Sequence, residues 1–169
     1  MQKKTTKTDG PQKSLIEGLY EAHLPVSNLE RSRAFYAGLG LRQAWEDEDT
    51  VFFWIEEGKS WIGLWLAPEL AALPYHPAIR HAAFRVDWEG LLRSAAWLKA
   101  RGIEPAPFGR QPDAAPFVRP HQANASIYFD DPDGNSLELM CSVEVPADWR
   151  EHAGKIPAAD WPPGNGGTA

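Results

Sequence analysis

The stretch Ser126-Ile-Tyr-Phe-Asp-Asp-Pro-Asp-Gly-Asn-Ser-Leu-Glu-Leu-Met-Cys141 decides how this chain is read. Ile127, Phe129, Leu137 and Leu139 recur at the two-residue period of a strand, and Asp131-Pro-Asp-Gly134 between them carries turn chemistry. Pro132 pre-sets φ at the first central turn position, and Gly134 tolerates a positive φ. The spacing predicts a hairpin whose second strand shows Ser136, Glu138 and Met140 on one face and Leu137, Leu139 and Cys141 on the other. Glu138 is then a carboxylate in mid-strand between two leucines. A solvated sheet face would accommodate it, because antiparallel sheets commonly keep one polar face. Any further reason for it has to come from elsewhere in the chain.

Working outward, a strand is expected over residues 16–26, with Leu19, Tyr20, His23, Leu24 and Val26. A helix follows from Ser27, where Ser27 and Glu30 have capping-box spacing. Its apolar side is Leu29, Ala34, Phe35, Tyr36 and Leu39, and Gly38 or Gly40 ends it. Strands are predicted over 41–46, 50–56 and 61–67. The proline-bearing segment 68–78 reads as a linker. The second half repeats the plan with a strand over 80–86, a helix capped by Asp87 and carrying Leu91, Ala95 and Leu98, and a strand over 103–108. A long loop over 109–123 precedes the hairpin. Residues 1–14 read as a disordered, lysine-bearing leader, 15–145 as the domain (modules about 15–67 and 79–143), and 146–169 as an irregular tail. His23 opens Leu-Pro-Val before the first helix, and His81 opens Ala-Ala-Phe-Arg-Val before the second. Trp61-Ile-Gly-Leu64 matches Ser136-Leu-Glu-Leu139, which sets Gly63 where the second half has Glu138.

The chain has 169 residues, is 43% apolar and carries a net charge of −6, the profile of a single globular domain without a basic nucleic-acid surface. Its one cysteine, Cys141, excludes an internal disulfide and suits a reducing compartment, and no apolar run is long enough for a signal peptide or a membrane span. A cytoplasmic location is expected. Two histidines in repeated positions and a strand carboxylate make a candidate 2-His-1-carboxylate site, suited to Zn, Mn, Fe, Co or Ni and leaving coordination positions open.

The motifs His23-Leu-Pro-Val-Ser-Asn-Leu-Glu-Arg-Ser-Arg-Ala-Phe-Tyr-Ala-Gly-Leu-Gly-Leu, His81-Ala-Ala-Phe-Arg-Val and Tyr128-Phe-Asp-Asp-Pro-Asp-Gly-Asn-Ser-Leu-Glu-Leu resemble the vicinal oxygen chelate superfamily of glyoxalase, bleomycin-resistance and dioxygenase proteins. The resemblance implies an α+β fold of two βαβββ modules, whose curled mixed sheets form an open cup around a divalent metal held by His23, His81 and Glu138. Gly63 stands where glyoxalase I has an acidic fourth ligand, which disfavours that reaction. Three ligands without the fourth are similar to the fosfomycin-resistance thiol transferases. In that likeness Ser126 and Tyr128 fall near the substrate phosphonate, Tyr128 as a catalytic hydrogen-bond donor, while Pro25 replaces a hydroxyl residue. Arg119 is a candidate substrate cation, and both Arg110 and Arg119 also read as solvated loop charges. Extradiol dioxygenases, with Fe(II), would use His121 and Tyr128; a metal-free drug-binding protein would use the cup alone. The likeness also implies a homodimer acting on a small molecule, each site drawing His23 from one chain and His81 with Glu138 from the other.

Overall fold

The computed structural model describes residues 18–76, 78–107, 115–162 and 166. The expected leader and Arg110 lie outside the described residues. The first half runs β1 (Glu21–Val26), α1 (Leu29–Gly38), β2 (Gln43–Glu46), β3 (Thr50–Glu56) and β4 (Ser60–Leu66), and its sheet has the order β1-β4-β3-β2. A one-turn helix α2 (Pro68–Ala71) begins the connection. The second half runs β5 (His81–Arg85), α3 (Trp88–Lys99), β6 (Pro105–Ala106), β7 (Phe117–Arg119), β8 (Asn124–Asp130) and β9 (Ser136–Ser142). A last strand, β10 (Ile156–Pro157), closes a sheet of order β10-β7-β8-β9-β5, with β6 also paired to β8. Each sheet joins its first and last module strands in parallel, β1 with β4 and β5 with β9, so the βαβββ plan is present twice. Among the described residues no helix is long and apolar enough to cross a membrane.

The hairpin is found as its alternation predicts, with Ile127 opposite Leu139 and Tyr128 opposite Glu138, and Gly134 turns the chain at φ +75°. Ile127, Phe129 and Leu137 are fully buried and meet α3 through Leu91 and Leu98. Leu24, Val26, Val51, Phe53, Ile62 and Leu64 do the same beneath α1 and Tyr36. Each such side chain contributes roughly 1.5–3 kcal/mol by leaving water. The helices thus cover one face of each sheet and leave the other open.

Four expectations differ in detail. Asn28, not Ser27, caps α1, because its side chain accepts from the Arg31 N–H while Ser27 is drawn away by Asp133. The strand expected over 103–108 is regular only at β6, and Phe108 lies outside the described residues. The loop expected over 109–123 contributes β7, since Phe117 and Val118 are apolar enough to be buried between Pro116 and Pro120. The segment expected as an irregular tail docks through β10, with Ile156 against Val118 and Trp161 buried in the core.

The hairpin turn also ties the two halves together. Asp133 accepts from the Ser27 N–H (3.1 Å), the Ser27 hydroxyl (2.5 Å) and Arg31 Nη2 (2.7 Å), and Asp131 accepts from the Tyr36 hydroxyl (3.1 Å). Behind the turn, buried Arg80 donates to Asn135 Oδ1 and to the Asp133, Leu70 and Ala71 carbonyls. Burial works to raise the Asp133 pKa, but Ser27 and Arg31 outweigh it and hold the carboxyl below its ordinary value. A depressed carboxylate stabilises the fold above its unfolded pKa and loses that contribution as pH falls through the folded value. Asp133→Asn is therefore expected to cost about 1–3 kcal/mol in chemical denaturation at pH 7, a difference that shrinks as pH drops below about 4.

Candidate metal centre

Alternation along β9 turns Glu138 to the open face of the second sheet, yet its side chain is only 4% exposed. The solvated-face reading fails because two partners enclose it. His81 Nε2 lies 3.1 Å from Glu138 Oε2, and Arg119 Nη2 donates to Oε1 at 2.7 Å. His81 Nδ1 is 3.0 Å from the Ser136 carbonyl oxygen. A carbonyl only accepts, so Nδ1 carries a proton and Nε2 is the nitrogen aimed at the carboxylate. Nε2 must then hold a second proton or share a cation with Oε2. The 3.1 Å separation suits two neighbouring ligand atoms each about 2.1 Å from one ion, and a ring N–H held by a backbone carbonyl is the usual support for a ligating histidine. This donor pair fits a divalent metal.

Arg119 was expected to be a substrate cation or a solvated loop charge. The loop reading is corrected: β7 pairs Arg119 with Asn124, and its side chain is 13% exposed. Its guanidinium donates to Asn124 Oδ1 (3.0 Å), Tyr128 Oη (3.0 Å) and Ser126 Oγ (2.6 Å) as well as to Glu138. Ser126, Tyr128, His81 and Glu138 are therefore brought together. Burial alone would raise the Glu138 pKa, but His81, Ser126, Tyr128 and the Arg119 charge hold it below the ordinary carboxylate value. The Tyr128 phenol is pushed up to about 12, chiefly by burial and against the pull of Arg119, so it keeps its proton throughout the physiological range.

His23 lies on the open face of the first sheet, with Nε2 3.6 Å from Glu21 Oε1. Its expected equivalence to His81 is corrected by register. His23 pairs with Gly63, whereas His81 pairs with Ser136 and it is Ala83 that faces Glu138. With Gly63 matched to Glu138, the counterpart of His81 is Glu21, which pairs with Trp61. The sequence held a signal for this, since Glu21 stands five residues before Val26 as His81 does before Val86. Among the described residues no three His, Cys, Asp or Glu side chains converge to hold an ion, so the expected triad does not assemble within one chain. A Cβ on Gly63 would lie 2.7 Å from Phe52 Cε1 and 2.9 Å from His23 Cδ2, so those rings fill the space an acidic ligand would need. His121 is exposed on a 3-10 turn, Pro120–Gln122.

Paired βαβββ halves with a carboxylate–imidazole pair on an open sheet face define the class. The chain belongs to the Glyoxalase/Bleomycin resistance protein/Dioxygenase superfamily, which it matches over residues 18–139. It is 27% identical over 126 residues to the metallothiol transferase FosB of Shouchella clausii, covering 74% of this chain and 80% of that protein. An integron cassette protein from the mobile metagenome of the Halifax Harbour sewage outfall superposes with a TM-score of 0.60 at 26% identity, covering 75% of this chain and 99% of that one. A mutant of the fosfomycin resistance protein FosX of Listeria monocytogenes, complexed with Mn(II) and 1S,2S-dihydroxypropylphosphonic acid, does so at 0.55 and 25% identity, covering 80% and 96%.

Gly63→Asp, which would restore an acidic group at the expected fourth-ligand position, should lower stability by about 1–3 kcal/mol through overpacking against Phe52 and His23. Thermal unfolding of the variant beside wild type measures this; an unchanged midpoint would show that the rings yield.

Proposed function

We propose that this chain is a metal-dependent enzyme of the thiol-transferase or lyase type, acting on a small, oxygen-rich anion. His81 and Glu138 are two ligands of a divalent cation, and the remaining protein ligand comes from the open face of β1, which carries His23 and Glu21. The observation that carries the reading is the His81 Nε2–Glu138 Oε2 approach with Nδ1 committed to a carbonyl. The FosB relative and the FosX complex with Mn(II) and a phosphonic acid support it. When bound, a divalent cation supplies Lewis acidity that stabilises negative charge on a substrate oxygen. The chain's own residues do the rest. Arg119 fixes the Glu138 carboxylate, Ser126 and Tyr128 help hold it ionised, and the phenol keeps its proton on the same face. The dioxygenase alternative gains no support from His121, whose exposed position leaves it unfixed as a base.

β1 and β5 are both sheet-edge strands, which fits a homodimer that sets β1 of one copy beside β5 of the other and so completes each site. Register favours Glu21 over His23 as the completing ligand, because Glu21 is the counterpart of His81.

Metal analysis after Mn(II) reconstitution should give about one equivalent per chain for wild type, with affinity lowered at least about tenfold in His81→Ala and Glu138→Ala. Glu21→Ala should weaken Mn(II) binding more than His23→Ala. Full Mn(II) retention in Glu138→Ala would remove the proposed centre.

A further inference from the structure

β10 pairs Ile156 with Val118 and Pro157 with Phe117 in antiparallel fashion. Carried back one residue, that register sets Lys155 directly across from Arg119. Cross-strand neighbours share a face, and the Arg119 face is the one bearing Ser126, Tyr128 and Glu138. Ring contacts agree. Lys155 Nζ lies 4.1 Å from the centroid of Phe117, and Arg119 Cζ lies 5.2 Å from the same centroid. Two cations therefore flank one phenyl ring. Like charges facing each other across an antiparallel pair are destabilising, and the nearby carboxylate, Glu138, is engaged with Arg119 and His81. Among the described residues no carboxylate forms an ion pair with half-buried Lys155. Burial and then the Arg119 charge push its ammonium below the ordinary lysine value, with Glu138 acting the other way. Glu138, held by Arg119 and His81, offsets the charge of Lys155 only in part.

Resting on the reading that this sheet face receives the substrate, we infer that Lys155 is the free arm of an anion clamp, opposite Arg119, for a dianionic phosphonate or phosphate headgroup. Arg119 commits donors to four acceptors on its own chain. Lys155 has three N–H donors, and among the described residues no carboxylate is within ion-pair distance of them. Charge count selects the headgroup. Counting the proton or divalent cation that His81 Nε2 shares with Glu138, the positive charge on this face exceeds the negative charge of Glu138 by at least two. A dianion balances that excess better than a carboxylate does. Lys155 also lies beyond the matched span of 18–139, so this arm is supplied by the chain's own C-terminal segment.

The test titrates the full chain, with and without Mn(II), by calorimetry against methylphosphonate and against acetate at pH 8. Wild type, Lys155→Met and Lys155→Arg are compared, and thermal midpoints are recorded for each. Methylphosphonate should bind wild type more tightly than acetate does. Lys155→Met should weaken methylphosphonate binding by about tenfold or more, and Lys155→Arg should recover most of it. Without ligand, Lys155→Met should melt no lower than wild type, because the facing charge has been removed. A lysine that merely packs on Phe117 would give a lower unliganded midpoint with phosphonate affinity unchanged, and that result overturns the inference. Equal affinity for acetate overturns the dianion assignment. Wild type that binds Mn(II) but no phosphonate sinks the clamp and leaves the metal reading standing. Phosphonate binding that depends on Lys155 without any Mn(II) binding does the reverse.

Discussion

A buried carboxylate held between an imidazole and a guanidinium is the constraint around which the second half is built. Ionised Glu138 is tolerable in the interior only while both oxygens are matched, and His81 and Arg119 match them one each. His81 reaches it because β5 runs parallel beside β9, and Arg119 because β7 joins the far side of β8. β10 then covers the edge of β7 and brings a second cation to the same face. The hairpin turn that sets Glu138 in place is itself bolted to α1 through Asp131 and Asp133. Position of the carboxylate and docking of the two halves are thus one problem with one solution.

The halves share a plan but divide the chemistry. The open face of the second sheet is polar and charged. That of the first is largely aromatic, with Trp45, Phe52, Trp61 and Trp65 in ring contact around His23. The pair His23–Gly63 in one half corresponds to Ala83–Glu138 in the other, so bulk and smallness have exchanged strands. Phe52 and His23 occupy the space above Gly63, which explains in steric terms why the first half carries a glycine where an acidic ligand would otherwise be read.

Much of this was legible in the residues. The Asp-Pro-Asp-Gly turn, the period-two alternation around it and the Asp87 cap are local signals, and the structure contains the elements they predict. What was illegible depends on distant partners. Ser27 looked like a cap because only its neighbours in sequence were visible, whereas Asp133 claims it from 106 residues away. β7 and β10 are too short to announce themselves by periodicity; β7 is paired with β8 and β10, and β10 with β7. Arg119 and Lys155 gained their setting from those pairings. The meeting of His81 with Glu138 follows from the parallel pairing of β5 with β9, whereas the register of β1 against β4, which makes Glu21 rather than His23 the counterpart of His81, depends on a strand pairing that motif spacing alone does not fix.

The proposed metal centre stands or falls on whether His81 and Glu138 bind one cation. The most direct measurement is pulsed electron paramagnetic resonance of Mn(II) bound to the wild-type protein and to His81→Ala. Nitrogen modulation from a single coordinated imidazole, present in wild type and lost in the variant, is the predicted result. Wild-type Mn(II) spectra without imidazole modulation, or modulation that survives the loss of His81, would contradict it.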